Sequence, residues 1–148
     1  MKDGFTMIEL IFVIVIIGIL AAVAVPRLAA TRDDAKISTV AKNIATAANE
    51  IAAYAVSQGK TESNFSIMSN AVASMIASGD AIQSGQQLNI RMNTIINCLI
   101  FDINTTGGDA NLTLSYGNTA GDSLCRGLQS VIEAEDYPIP LTGRRIKL

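Results

Sequence analysis

No histidine and no tryptophan occur among the 148 residues. The first absence removes the commonest general base, the commonest zinc ligand and every His-based catalytic triad together. The two cysteines, Cys98 and Cys125, are too few for a zinc cage and too far apart for a Cys-x-x-Cys redox pair. No nucleophile-elbow motif takes their place. Charge is scarce as well: charged residues make up 16% of the chain and the formal net charge is −2. Attraction of the whole chain to nucleic acid or anionic lipid is therefore excluded, and any such contact must be local. There is no internal repeat and no low-complexity linker, and the length bounds the chain to one small domain with or without an appendage. Hydrophobic residues account for 49%, too many for a disordered chain and high for a soluble one, so part of the molecule is built to leave water.

The apolar residues are concentrated at the start. From Phe5 to Val25 the only polar side chains are Thr6 and Glu9. As a helix this run of about 21 residues covers roughly 31 Å, the thickness of a bilayer core. Pro26 and Arg27 follow it without a small-x-small cleavage site, so loss of the run as a secretory signal is not expected. Beyond Pro26 the apolar positions become periodic: Ile37, Val40, Ala41, Ile44, Ala48, Ile51 and Ala55 recur at steps of three and four. The spacing predicts an amphipathic helix with Arg27, Arg32, Asp33, Asp34, Lys36 and Lys42 near its start and Gly59 as its C′ residue. The two segments together make one helix of about 54 residues, roughly 80 Å long.

The remaining residues predict a small α+β head. Phe65, Met68, Val72, Met75 and Ile76 mark a second amphipathic helix stopped near Gly79. Ile95 to Thr105 and Leu112 to Tyr116 read as strands joined through the turn Thr106-Gly107-Gly108-Asp109. A short helix is expected over Ser123 to Ala134, and a final strand, interrupted near Gly143, over Tyr137 to Leu148.

The sequence Gly4-Phe5-Thr6-Met7-Ile8-Glu9-Leu10, with the apolar stretch through Gly18 to Pro26, resembles the class III signal of type IV pilins and pseudopilins. A glycine before an aromatic start, a lone acid at the fifth position after it and an uninterrupted apolar helix occur in register. The resemblance covers about residues 1 to 58. It implies cleavage between Gly4 and Phe5 by a membrane prepilin peptidase, N-methylation of Phe5, and a mature chain that keeps its membrane helix. The implied organisation is a leader at 1–4, a transmembrane and assembly helix at 5–26, an amphipathic stalk at 27–59 and a globular head at 60–148. The implied fold is α+β and pilin-like, a long N-terminal helix packed on a small antiparallel sheet. The implied function is that of a structural subunit, not an enzyme, polymerising with itself and with other pilins or pseudopilins. An inner-membrane platform and a cytoplasmic ATPase would drive it, in protein secretion, DNA uptake or adhesion. Before assembly such a subunit sits in the bacterial inner membrane with its head in the periplasm. A single-pass membrane anchor carrying a binding or sensory domain is the competing reading.

Glu9 carries a physical argument of its own. A carboxylate one turn into an apolar helix costs roughly 2 to 3 kcal/mol in lipid, so it needs a partner or a proton. After cleavage, the Phe5 amine of a neighbouring subunit would be that partner and would set subunit register; otherwise Glu9 snorkels at the headgroup interface. Gly18 and Pro26 are the helix-weakening positions. The stretch between them corresponds to one that is melted in assembled type IV pili, and a simple kink at the membrane exit is the alternative.

Four further groups remain. Cys98 and Cys125 suit a disulfide in an extracytoplasmic head, as in many pilins, or are two unrelated buried thiols. Asp102, Asp109 and Asp122, among Asn104, Asn111 and Asn118, offer oxygen ligands of the kind calcium accepts. Their spacing matches no known loop, and solvated turn residues are the plainer reading, so no cofactor is expected. Asn64, Asn104 and Asn111 each open an Asn-x-Ser/Thr site and each has an acid two residues earlier, Glu62, Asp102 and Asp109. That pattern resembles the extended acceptor of bacterial oligosaccharyltransferases. Arg144, Arg145 and Lys147 form a basic cluster, a candidate contact for nucleic-acid phosphates. With Tyr137 as its one nearby aromatic, it lacks a stacking platform and suits a solvated tail or subunit contact better.

Overall fold

A computed structural model describes residues 5–105 and 109–142. The chain divides into two compact units, Met1–Lys36 and Ile37–Leu148. Helix α1, Met7–Gln58, begins in the first unit and ends in the second. Gly59 follows it with φ +66°, the left-handed conformation that closes a helix and that glycine adopts without strain.

In the first unit, α1 is exposed at every described position. From Leu10 to Val25 it is apolar all round, a pattern that a helix in water has no reason to carry.

In the second unit, one stripe of α1 is buried: Val40, Ala41, Ile44, Ala47, Ala48, Ile51 and Ala55. Six of these seven belong to the predicted stripe, and Ala47 adds to it. The stripe joins one core with Phe65, Met75, Leu88, Ile90, Leu99, Phe101, Leu112 and Leu128. Ile44, Ala47, Ala48 and Ile51 of the stripe line one small gap with Met75, Leu88, Ile90, Phe101 and Leu112.

The sheet is antiparallel with strand order β1-β2-β3-β4-β5, where β1 is Ala81–Ser84, β2 Gln87–Met92, β3 Ile95–Asn104, β4 Asn111–Tyr116 and β5 Ile139–Pro140. Strands β3 and β4 fall where predicted. Phe101 pairs with Leu114 and Ile103 with Leu112, which sets alternate residues toward the core. The turn between them was expected over 106–109, of which 106–108 lie outside the described residues. Gly117 ends β4 against Asn97; a Cβ there would overlap the Asn97 carbonyl oxygen, so only glycine fits.

The structure differs from expectation in four places. The expected helix from Phe65 to Gly79 is two helices, α2 (Phe65–Met68) and α3 (Asn70–Ala77), separated by extended Ser69. Ser69 breaks the helix because its hydroxyl oxygen accepts from the Val72 N–H at 3.1 Å, while the hydroxyl donates to Glu50 Oε2 at 2.6 Å. The hairpin β1–β2 was not anticipated; it turns at Gly85, with φ +61°, and buries Leu88, Ile90 and Met92. Helix α4 spans Ser123–Val131, shorter than expected, and a 3-10 turn at Ala134–Asp136 follows. The final strand is two residues long, and residues 143–148 lie outside the described part.

Candidate functional site

At the start of α1, Thr6 and Glu9 cap the helix reciprocally. The Thr6 carbonyl accepts the first helical bond from the Leu10 N–H at 3.2 Å. Its hydroxyl oxygen accepts from the Glu9 N–H at 3.3 Å, and Glu9 Oε2 accepts from the Thr6 N–H at 2.8 Å and from the Thr6 hydroxyl at 2.7 Å. This is a capping box, in which two otherwise orphaned N–H groups are satisfied by side chains. Its signature, Thr-x-x-Glu ahead of an apolar run, stands in the sequence, although the expectation for Glu9 was a neighbour's amine or the headgroup interface and not a bond within its own helix. Both partners lie on the Phe5 side of the expected cut, so the box survives removal of residues 1–4. It uses one carboxylate oxygen, and an ionised carboxylate has acceptor capacity beyond these two bonds.

Phe5 is 86% exposed. Gly4 lies outside the described residues. Gly18 and Pro26 both sit inside α1, which is helical through them; a Cβ on Gly18 would meet nothing within 4 Å. By length and composition α1 is capable of crossing a membrane.

In the second unit, Cys98 and Cys125 form a disulfide between β3 and α4. Both are fully buried. The bridge is framed by polar ties: Asp122 caps α4 by accepting from the Cys125 N–H at 2.8 Å and receives the Asn93 side-chain amide at 3.0 Å. Chiefly the Asn93 bond, then the Cys125 N–H, hold the Asp122 carboxyl below its ordinary value, against the effect of burial. Gln129 donates to the carbonyls of Cys98 and Gly117 at 2.8 and 2.9 Å.

The six acids and amides considered for calcium do not form one site. Asp122 caps α4, Asp102 accepts from Gln87 at 3.0 Å, Asp109 accepts from Thr142 at 3.3 Å, and Asn118 accepts from the Ala120 N–H at 2.8 Å. Among the described residues no group of three or more His, Cys, Asp or Glu is placed to hold a metal. Of the Asn-x-Ser/Thr sites, Asn64 lies in the loop between α1 and α2, while Asn104 and Asn111 face each other across β3 and β4. The basic cluster of Arg144, Arg145 and Lys147 lies outside the described residues.

Glu50 is a residue the sequence reading did not single out. It is half-buried on α1 and accepts from the Ser69 hydroxyl at 2.6 Å and the Ala71 N–H at 3.0 Å. These bonds, the hydroxyl's first, hold its carboxyl below the ordinary value, and burial opposes them. It ties the helix stripe to the start of α3.

No curated protein and no solved structure matches the chain. Residues 1–25 match the prokaryotic N-terminal methylation motif. The chain thus carries at its start the class III prepilin signal of type IV pilins and pseudopilins.

Proposed function

We propose that the chain is a structural subunit of a type IV pilus or pseudopilus, processed between Gly4 and Phe5, N-methylated at Phe5 and polymerised through its N-terminal helix. The observation that carries this reading is the combination at residues 5–25 of a prepilin-type signal with a half-helix that is apolar on every side and uncovered by its own unit. A bilayer covers such a surface before assembly, and equivalent helices of neighbouring subunits cover it afterwards. In this reading residues 1–4 are the leader, 5–26 the membrane and assembly helix, 27–59 the stalk and 60–148 the head, held at the periplasmic side. Glu9 pairs with the methylated amine of a neighbour's Phe5, which stays cationic, while its own helix start remains capped by Thr6. Gly18 and Pro26 are where the helix loosens in the filament. The partners are other copies, related pilins or pseudopilins, the prepilin peptidase, and a membrane platform driven by a cytoplasmic ATPase. The work done is secretion, DNA uptake or adhesion, and it is mechanical rather than enzymatic.

The test is Gly4→Val in a host with active prepilin peptidase and the assembly machinery. The expected result is full-length precursor held in the membrane, a folded disulfide-bonded head and no filaments. Filaments built from uncleaved protein would reject the reading, and normal membrane residence with Gly4 retained in the wild type would favour an anchored binding domain.

A further inference from the structure

The three Asn-x-Ser/Thr sites are not explained by assembly. Each has an acid two residues before the asparagine, although acids number 13 in 148 residues, about one in eleven. The structure gathers them at one end of the head. Thr61, Glu62 and Ser63, preceding Asn64, line one polar cavity with Gln86 and with Ile103 and Thr105, which flank Asn104. Asn104 in turn pairs across the sheet with Asn111.

The three positions differ in presentation. Asn64 is exposed, with extended backbone at φ −100° and ψ 110°, in a loop free of any strand ladder. Gln83 fixes the backbone on either side of it, donating to the Ser63 carbonyl at 2.9 Å and accepting from the Phe65 N–H at 3.1 Å. Between those ties Asn64 projects, its Oδ1 accepting from the Ser66 N–H of its own site at 3.0 Å. Glu62, two residues before, keeps a partly exposed carboxylate paired with Lys60 at 2.6 Å. Asn104 and Asn111 are instead directly opposed ladder residues, whose Cβ atoms sit only about 5 Å apart in such pairs, so an oligosaccharide on one covers the other.

We propose that Asn64 is an N-glycosylation site, taking an oligosaccharide from a polyprenyl-diphosphate donor through an acid-recognising oligosaccharyltransferase, and that the Asn104–Asn111 pair takes at most one more. In the transfer, Asn64 Nδ2 forms a bond to C1 of the first sugar. The C1–O bond to the diphosphate breaks, the diphosphate leaves with the electron pair, and Nδ2 gives up one proton; nothing is oxidised or reduced. The inference rests on the head being outside the cytoplasm, as the functional reading has it.

The experiment coexpresses the full chain with such an oligosaccharyltransferase and its lipid-linked oligosaccharide in a bacterium that forms periplasmic disulfides, and reads intact mass and glycopeptides. One oligosaccharide increment is expected on the peptide bearing Asn64. It is expected to vanish in Asn64→Gln, in Ser66→Ala and in Glu62→Gln, and to persist in Lys60→Ala, which breaks the ion pair but leaves the acid. The peptide bearing Asn104 and Asn111 is expected to carry one increment or none. Unmodified Asn64 in molecules whose Cys98–Cys125 bridge has formed overturns the proposal while leaving the functional reading intact. Unmodified Asn64 with both cysteines reduced overturns both, because the head then never left the cytoplasm. Equal modification of wild type and Glu62→Gln overturns the role of the acid, and two increments on the hairpin peptide overturn the exclusion between its sites.

Discussion

Within α1, Leu10, Ile14 and Ile19 are 57%, 58% and 64% exposed, whereas Val40, Ile44 and Ile51 are 0%, 1% and 2% exposed. The residue types are nearly the same and so is the local conformation; the difference lies in what the rest of the chain supplies. From Ile37 onward the apolar residues form a stripe, polar residues occupy the other side, and a five-stranded sheet and three short helices provide a matching face. Before Pro26 there is no polar side to turn outward, so no single sheet or helix layer would satisfy the segment. Burial in the head is written into one chain. Nothing among the described residues covers the first segment in the same way.

The largest effect that separates the two regions is expected from Glu9→Leu. Insertion and head folding should be unchanged, since leucine is favoured at that depth. Assembly should fail, because the Phe5 amine of the incoming subunit loses its counter-ion in a low-dielectric setting, at a cost of several kcal/mol by buried-pair precedent (about 3–5). Filament yield against membrane level measures this, and crosslinking of wild-type to mutant subunits through stalk cysteines sharpens it. Entry of the mutant into filaments as readily as wild type would remove charge pairing from the account and leave Glu9 its capping role alone.

A matched pair of truncations probes the same contrast through packing. Ile51→Ala should destabilise the head by about 2–5 kcal/mol, while Ile14→Ala should change head stability by less than about 0.5 kcal/mol. Denaturant unfolding of the detergent-solubilised chain, followed by a signal from the head, gives both values. Equal losses would mean that the two regions share one cooperative core.

Reducing the Cys98–Cys125 bridge bears on the head alone. The cysteines are 27 residues apart, and cross-linking a loop of that size is worth about 3–4 kcal/mol in the chain-entropy account. Unfolding with and without dithiothreitol checks this, with membrane residence of the protein unchanged.

The smallest effect expected is that of Glu50→Gln, about 1 kcal/mol at neutral pH. Because hydrogen bonds from Ser69 and Ala71 lower the folded-state pKa, the carboxylate's contribution is fully present above the ordinary value of 4.5 and is lost as pH falls through the lowered one. Wild type should therefore lose more stability than Glu50→Gln between neutral pH and the acid side of 4.5. Urea midpoints at the two pH values decide it; parallel losses would assign the acid sensitivity elsewhere, Asp122 being the other head carboxylate held low in the same way.

The parts of this molecule readable from sequence are those fixed by patterns within a short window. The apolar run, the stripe from Val40 to Ala55 and the strands at Ile95 and Leu112 all follow from local periodicity. The break at Ser69 does not, because it depends on Glu50, 19 residues away in sequence. The hairpin β1–β2 was hidden for a related reason. Leu88, Ile90 and Met92 alternate, but they are interleaved with Asn89 and Arg91 and preceded by Gln86 and Gln87, residues of little strand preference. Pairing of β2 with β3 on one side and β1 on the other makes them strands. At the candidate site, the lone acid and the glycine-aromatic junction are plain in the sequence, whereas Thr-x-x-Glu becomes a capping box only once the helix is known to start at Met7.

The mature N-terminus decides whether the chain is a prepilin-peptidase substrate. Protein taken from the membrane fraction of a host with active prepilin peptidase should give an intact mass that begins at Phe5 and carries one methyl group on its amine. A chain that begins at Met1 under those conditions would contradict the account, because the Phe5 cation that Glu9 is held to meet would never be made.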